Sequence, residues 1–224
     1  MEFDTTIREN LDGKFVTISA SHISDGVEFV KKNKIEQIMV DGEDGIVFDF
    51  KKLKNLSDIL KVLSISSNLG VVDNLDSIYE LKNIEKIYID VKQNFNLEAS
   101  KFPKLKYLGA EYWKGLIDLE LLDKIEVIVL TKIPFLDLNL FSKFINLKVL
   151  HIYSSKIENT KGLEKLQNLE EISLARNTNL IDISTIFELK SLKSLIISKC
   201  KKLDNNLIIK KMESKPDVIL KIIK

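Results

Sequence analysis

Two histidines, His22 and His151, one cysteine, Cys200, and two carboxylates, Asp90 and Glu111, are the side chains of this 224-residue chain best suited to chemistry. A histidine beside a thiol would make a nucleophile and its base, and a carboxylate pair could move protons. Asp41-Gly42-Glu43-Asp44-Gly45 has the composition of a calcium loop but not its spacing. Counting from Asp41, the fifth, sixth and twelfth residues are Gly45, Ile46 and Lys52, where an EF-hand places an oxygen ligand, Gly and Glu. A tight turn leaving a strand is the reading that remains. The sequence has neither a phosphate-cradling Gly loop nor a G-x-S-x-G elbow. Whether the other candidates meet depends on the elements that carry them.

Those elements repeat. Apolar residues at i, i+3 and i+5 recur as Ile35/Ile38/Val40, Leu60/Leu63/Ile65, Ile84/Ile87/Ile89 and Leu105/Leu108/Ala110. They continue as Ile125/Ile128/Leu130, Leu147/Leu150/Ile152, Leu169/Ile172/Leu174 and Leu192/Leu195/Ile197. Successive starts lie 20 to 25 residues apart. A weaker copy, Phe15/Ile18/Ala20, precedes them, and a tail copy follows at Val218/Leu220. The i+3 and i+5 residues alternate with outward ones, as in a short half-buried strand. Asn74 to Leu81, Thr160 to Leu169 and Ser184 to Leu192 space their apolar residues as short helices or 3₁₀ turns do. No copy can bury its apolar edge alone, so neighbours must stack. The prediction is an α/β solenoid, a right-handed arc with a concave parallel sheet and helical turns on the convex side.

Leu169-Glu170-Glu171-Ile172-Ser173-Leu174-Ala175-Arg176-Asn177 resembles the leucine-rich-repeat signature L-x-x-L-x-L-x-x-N/C. Leu60 to Asn68 matches too, and Leu192 to Cys200 uses the Cys option. The period resembles that of the short bacterial, internalin-like subclass. In other copies Glu43, Lys92, Trp113, Ile133 and Ser155 replace Asn or Cys, which predicts an interrupted side-chain ladder. Residues 1–34 are expected to form an N-terminal cap, 35–200 the regular repeats and 201–224 a C-terminal cap, within one domain. Asp204 to Ser214 reads as a closing amphipathic helix.

Outward positions i+2, i+4 and i+6, with i+7 at the rim, line the predicted concave face. Tyr88, Tyr107, Tyr112 and Tyr153 fall there, four of the five Tyr, and none of the eleven Phe does. Trp113 is expected at the rim beside Tyr112. Amphipathic Tyr on the exposed face with Phe inside is the sorting that burial energetics favours. With Val127, Val129 and Val149 these rings make a partly apolar patch, and Asp41, Asp90, Glu111, Glu171 and Lys86 supply polar groups. The predicted partner-binding residues are Tyr88, Tyr107, Glu111, Tyr112, Trp113, Val129, His151 and Tyr153. His22 and His151 belong to copies about six strands, or about 29 Å, apart and cannot share a metal. Cys200 occupies the inward Asn/Cys position, which predicts a buried thiol rather than a partner for His151.

Lys and Arg number 34 against 33 Asp and Glu, and only Arg8 and Arg176 are Arg. That balance argues against a nucleic-acid binder. The first ten residues lack the basic start and apolar run of a secretory signal, and no apolar stretch approaches the ~18 residues that span a bilayer. One cysteine fits a reducing compartment. The sequence therefore predicts a cytoplasmic, monomeric, non-catalytic module without cofactor or metal, binding a protein partner rather than nucleic acid or membrane. An inhibitor or immunity-type protein that occludes a toxin or enzyme, a structural scaffold, and an enzyme are the alternatives.

Overall fold

The computed structural model describes residues 3–223, which divide into two compact units on either side of the Asp118–Leu119 bond. In the first unit β1 (Arg8–Asn10) and β2 (Gly13–Ser19) form an antiparallel hairpin. The helix α1 (Ile23–Asn33) follows. Four strands then add in parallel: β3 (Gln37–Asp41), β4 (Val62–Ile65), β5 (Lys86–Ile89) and β6 (Tyr107–Glu111). The second unit is wholly parallel, with β7 (Val127–Thr131), β8 (Val149–Tyr153), β9 (Glu171–Ala175), β10 (Ser194–Ser198) and β11 (Ile219–Ile223) in that order. The closing helix is α2 (Asn205–Met212), and Asp204 caps it by accepting from the Asn206 and Leu207 amides.

All of the i, i+3 and i+5 residues of the eight regular copies are buried. Their side chains leave one side of each strand toward 3₁₀ turns such as Leu75–Glu80, Leu163–Lys165 and Ser184–Glu188. A period-2 strand buried on one face leaves its alternate residues on an open face. Rings pack on the buried side, Phe48 on Phe50 at 5.0 Å and Phe141 on Phe144 at 5.8 Å.

The two end copies sit two residues out of their predicted register. Phe15 pairs with Gln37, an i+2 residue, so Val16 and Ile18 are the buried i+3 and i+5 residues of β2. Phe15 is therefore a half-buried outward residue, against the expectation that no Phe faces outward. At the other end Leu220 pairs with Leu195 and Ile222 with Ile197, so the tail copy is Leu220/Ile222. Both shifts are even, so the side-chain parity of each strand survives.

One column carries a charge pattern. The i+1 residues read Glu36, Lys61, Glu85 and Lys106 in the first unit, then Glu126, Lys148, Glu170 and Lys193 in the second. Ion pairs join Lys61 to Glu36 at 2.7 Å, Lys148 to Glu126 at 2.7 Å and Lys193 to Glu170 at 2.8 Å. Within each unit, strict alternation gives every interior member of the column opposite charges on both sides.

Candidate functional site

In the first unit the predicted aromatics meet. Tyr88 of β5 and Tyr107 of β6 pack ring against ring, tilted by 40°, with centroids 4.6 Å apart. Gly109, opposite Tyr88 in the ladder, makes room for them. A Cβ there would lie 3.1 Å from Tyr107 Cε1 and 3.4 Å from Tyr88 Cδ1. Glu111 and Tyr112 follow at the end of β6, both half-buried.

Trp113 is not a rim residue. It is 8% exposed, and its Nε1 donates to the Phe95 carbonyl at 2.8 Å. The indole stands in the inward position where Asn or Cys stands in other repeats, and it satisfies a carbonyl there with its one donor. Burial of so large an apolar body overrides its chance proximity in sequence to Tyr112.

The ladder of inward polar side chains is also more continuous than the substitutions predict. In the second unit Ser155 Oγ accepts from the Ile133 amide at 3.1 Å and donates to the Tyr153 carbonyl at 2.9 Å. Asn177 Oδ1 then accepts from the Ser155 amide at 2.9 Å, while its Nδ2 donates to the Ile152 carbonyl at 2.8 Å. Cys200 follows, buried, with its Sγ 3.5 Å from the Leu174 carbonyl, and burial pushes its thiol pKa up. In the first unit the matching residue is Gln93, which accepts from the Leu69 amide and donates to the Ser67 carbonyl. Asn68, the signature match by sequence, is exposed instead.

In the second unit Val129, His151 and Ser173 lie opposite one another on the open face of β7, β8 and β9. His151 Nε2 is 2.7 Å from Glu171 Oε1, and its ring centroid is 5.7 Å from that of Tyr153. Tyr153 Oη donates to Ser173 Oγ at 3.2 Å. Val129, His151 and Tyr153 are half-buried, so part of each side chain still faces solvent. His22 lies elsewhere, at the start of α1, with its Nδ1 2.7 Å from Ser21 Oγ. Among the described residues no three His, Cys, Asp or Glu side chains gather as a metal cluster.

Sequence reasoning missed the hairpin. Its loop residue Asp12 reaches β5, where Lys86 Nζ donates to Asp12 Oδ1 and Tyr88 Oη donates to Asp12 Oδ2 at 2.7 Å. In the sheet, β3 and β4 lie between β2 and β5, so the tip passes over the open face of both. Their outward Gln37, Val62 and Ser64 are buried rather than exposed. Burial and the bond to Asp12 both raise the Tyr88 pKa, which keeps the phenol a neutral donor. The 74-residue separation of Asp12 from Lys86 leaves no local pattern from which this contact could be read.

Among solved structures, the chain is similar to internalin C2 of Listeria monocytogenes with a TM-score of 0.53 at 19% identity, covering 76% of each chain. A leucine-rich-repeat protein of Leptospira interrogans aligns with a TM-score of 0.54 at 16% identity over 86% of this chain. The chain spans 56% of that protein's length. No protein-family model and no curated protein matches the sequence. No helix among the described residues is long and apolar enough to cross a membrane.

Proposed function

Given that the chain is built as a leucine-rich-repeat fold, we propose that it is a non-catalytic module binding a protein partner on the open face of its sheet. The observation that carries this reading is a part-exposed aromatic pair on the open face in each unit, Tyr88 packed against Tyr107 in one and Tyr153 beside His151 in the other. Rings held by their neighbours lose little rotamer freedom on binding, and Tyr is enriched among residues that dominate interface energies. The polar groups within reach, Glu171 on His151 and Ser173 on Tyr153, are already hydrogen-bonded to the rings they flank and support recognition more readily than turnover. Binding to the sheet face would leave the buried ladder of Ser155, Asn177 and Cys200 undisturbed.

The test compares affinity capture by the wild-type chain and by folded Tyr107→Ser and Tyr153→Ser variants. A partner held by wild type and lost by either variant supports the open face as the binding surface. Equal retention by all three moves binding to another surface.

A further inference from the structure

We propose that Lys86 and Tyr88 form a carboxylate-binding site on the open face of the first unit, filled in the resting chain by its own Asp12 and taken over by an acidic side chain of a binding partner. As a statement about the partner this rests on the open face being the binding surface; the carboxylate site itself does not.

Two donors converge on one carboxylate, with Lys86 on Oδ1 and Tyr88 on Oδ2. They are two residues apart on β5, so both leave the same face of one strand. That strand is paired on both sides. The Tyr88 ring also packs against Tyr107, so the hairpin is not its only neighbour. The backbone that carries both donors is therefore held by the sheet, while the group that fills the site comes from a loop at the sheet's edge.

The hairpin covers its ground imperfectly. Gln37 is 2% exposed, yet its Oε1 has no hydrogen-bond partner. Gln37 also lines a cavity of about 370 Å³ whose walls include Asp12, Gly13, Val62 and Lys86. An unsatisfied buried acceptor is costly, so an occupant bringing an N–H to it would gain a bond that the hairpin leaves unmade. Leu11, next to Asp12, is fully exposed and adds no apolar burial to hold the tip down. The Asp12 side chain is 11% exposed, and its carboxylate joins the tip to β5 through two side-chain hydrogen bonds. The ligand that fits is an acidic side chain on a turn or extended segment whose main-chain N–H groups are free.

The experiment titrates the peptide acetyl-Asn-Leu-Asp-Gly-amide, and the same peptide with Asn for Asp, into the full chain and into its Asp12→Asn variant. Backbone amide NMR shifts at Lys86, Tyr88 and Gly109 report binding, and circular dichroism confirms the fold of each variant. The acidic peptide is expected to shift these resonances in Asp12→Asn and to bind wild type about tenfold more weakly or less, because the tethered Asp12 competes. The Asn peptide should leave them in place, and Lys86→Gln in the Asp12→Asn background should abolish the response. No shift at these residues with the acidic peptide, or equal shifts with both peptides, overturns the proposal. Acidic-peptide binding without loss of any captured partner on Tyr107→Ser would overturn the reading of the face and leave the carboxylate site standing.

Discussion

The indole nitrogen of Trp113 donates to the carbonyl oxygen of Phe95 at 2.8 Å across a gap that Gly115 keeps open. A Cβ on Gly115 would lie 2.5 Å from that nitrogen and 2.5 Å from the same oxygen. Trp113→Phe keeps most of the apolar volume and removes the donor from a part-buried carbonyl, which costs about 1 kcal/mol. Urea unfolding should show a lower midpoint with an unchanged slope, the mark of lost stability rather than a changed denatured state. A Trp that served only as an exposed contact would give a change within about 0.5 kcal/mol.

Gly109→Ala should disturb the Tyr88–Tyr107 pair while sparing the core. The added methyl would press on Tyr107 Cε1 at 3.1 Å, and Gly109 has an ordinary backbone conformation, so the strain falls on the ring. Near-ultraviolet circular dichroism should change in the tyrosine region while the far-ultraviolet spectrum stays the same. The thermal midpoint should move little, since the ring can shift into solvent.

What is legible in the sequence follows from what repeats. Apolar residues at i, i+3 and i+5 fix strand parity and burial in eight copies because each copy meets the same neighbours, and every one of those positions is buried. Parity also places Tyr88, Tyr107, His151 and Tyr153 outward. Where a copy borders something other than another copy, the pattern fails. Apolar spacing puts Phe15 in the wrong slot because the strand before α1 is followed by a helix, not a repeat turn. Trp113 and Gln93 take the Asn role with different chemistry, each donating to a main-chain carbonyl of the preceding turn, whereas Ile133 fills its position with apolar volume alone. The Asp12 contacts join residues 74 and 76 apart and leave no periodic trace. The alternating Glu and Lys of the i+1 column stand in plain view, but apolar spacing does not count them.

Acid should loosen the hairpin. Burial raises the Asp12 pKa, and the hydrogen bonds from Lys86 and Tyr88 outweigh that effect, leaving it below the ordinary 3.8. A carboxyl whose folded pKa is depressed stabilises the fold above its unfolded value and loses that contribution as pH falls through the folded one. The thermal-midpoint difference between wild type and Asp12→Asn should therefore hold steady down to about pH 5 and shrink below about pH 4. A difference that persists undiminished at about pH 2 would mean that Asp12 does not act through its charge.

Alternation, not the sign of any one residue, should govern the i+1 column. Lys148→Glu places a third carboxylate between Glu126 and Glu170, where cross-strand neighbours of like charge repel. The thermal midpoint should drop, and the drop should narrow as salt is raised, because these side chains are about half exposed and screened. Inverting the second unit's column, with Glu126→Lys, Lys148→Glu, Glu170→Lys and Lys193→Glu together, restores opposite neighbours throughout that unit and should recover most of the loss. If the inverted chain were no more stable than Lys148→Glu alone, specific contacts of Lys148 rather than the alternating column would set the effect. Recovery would identify the column as a register device: a slip that brought a strand against its next-but-one neighbour would pair Glu with Glu and Lys with Lys.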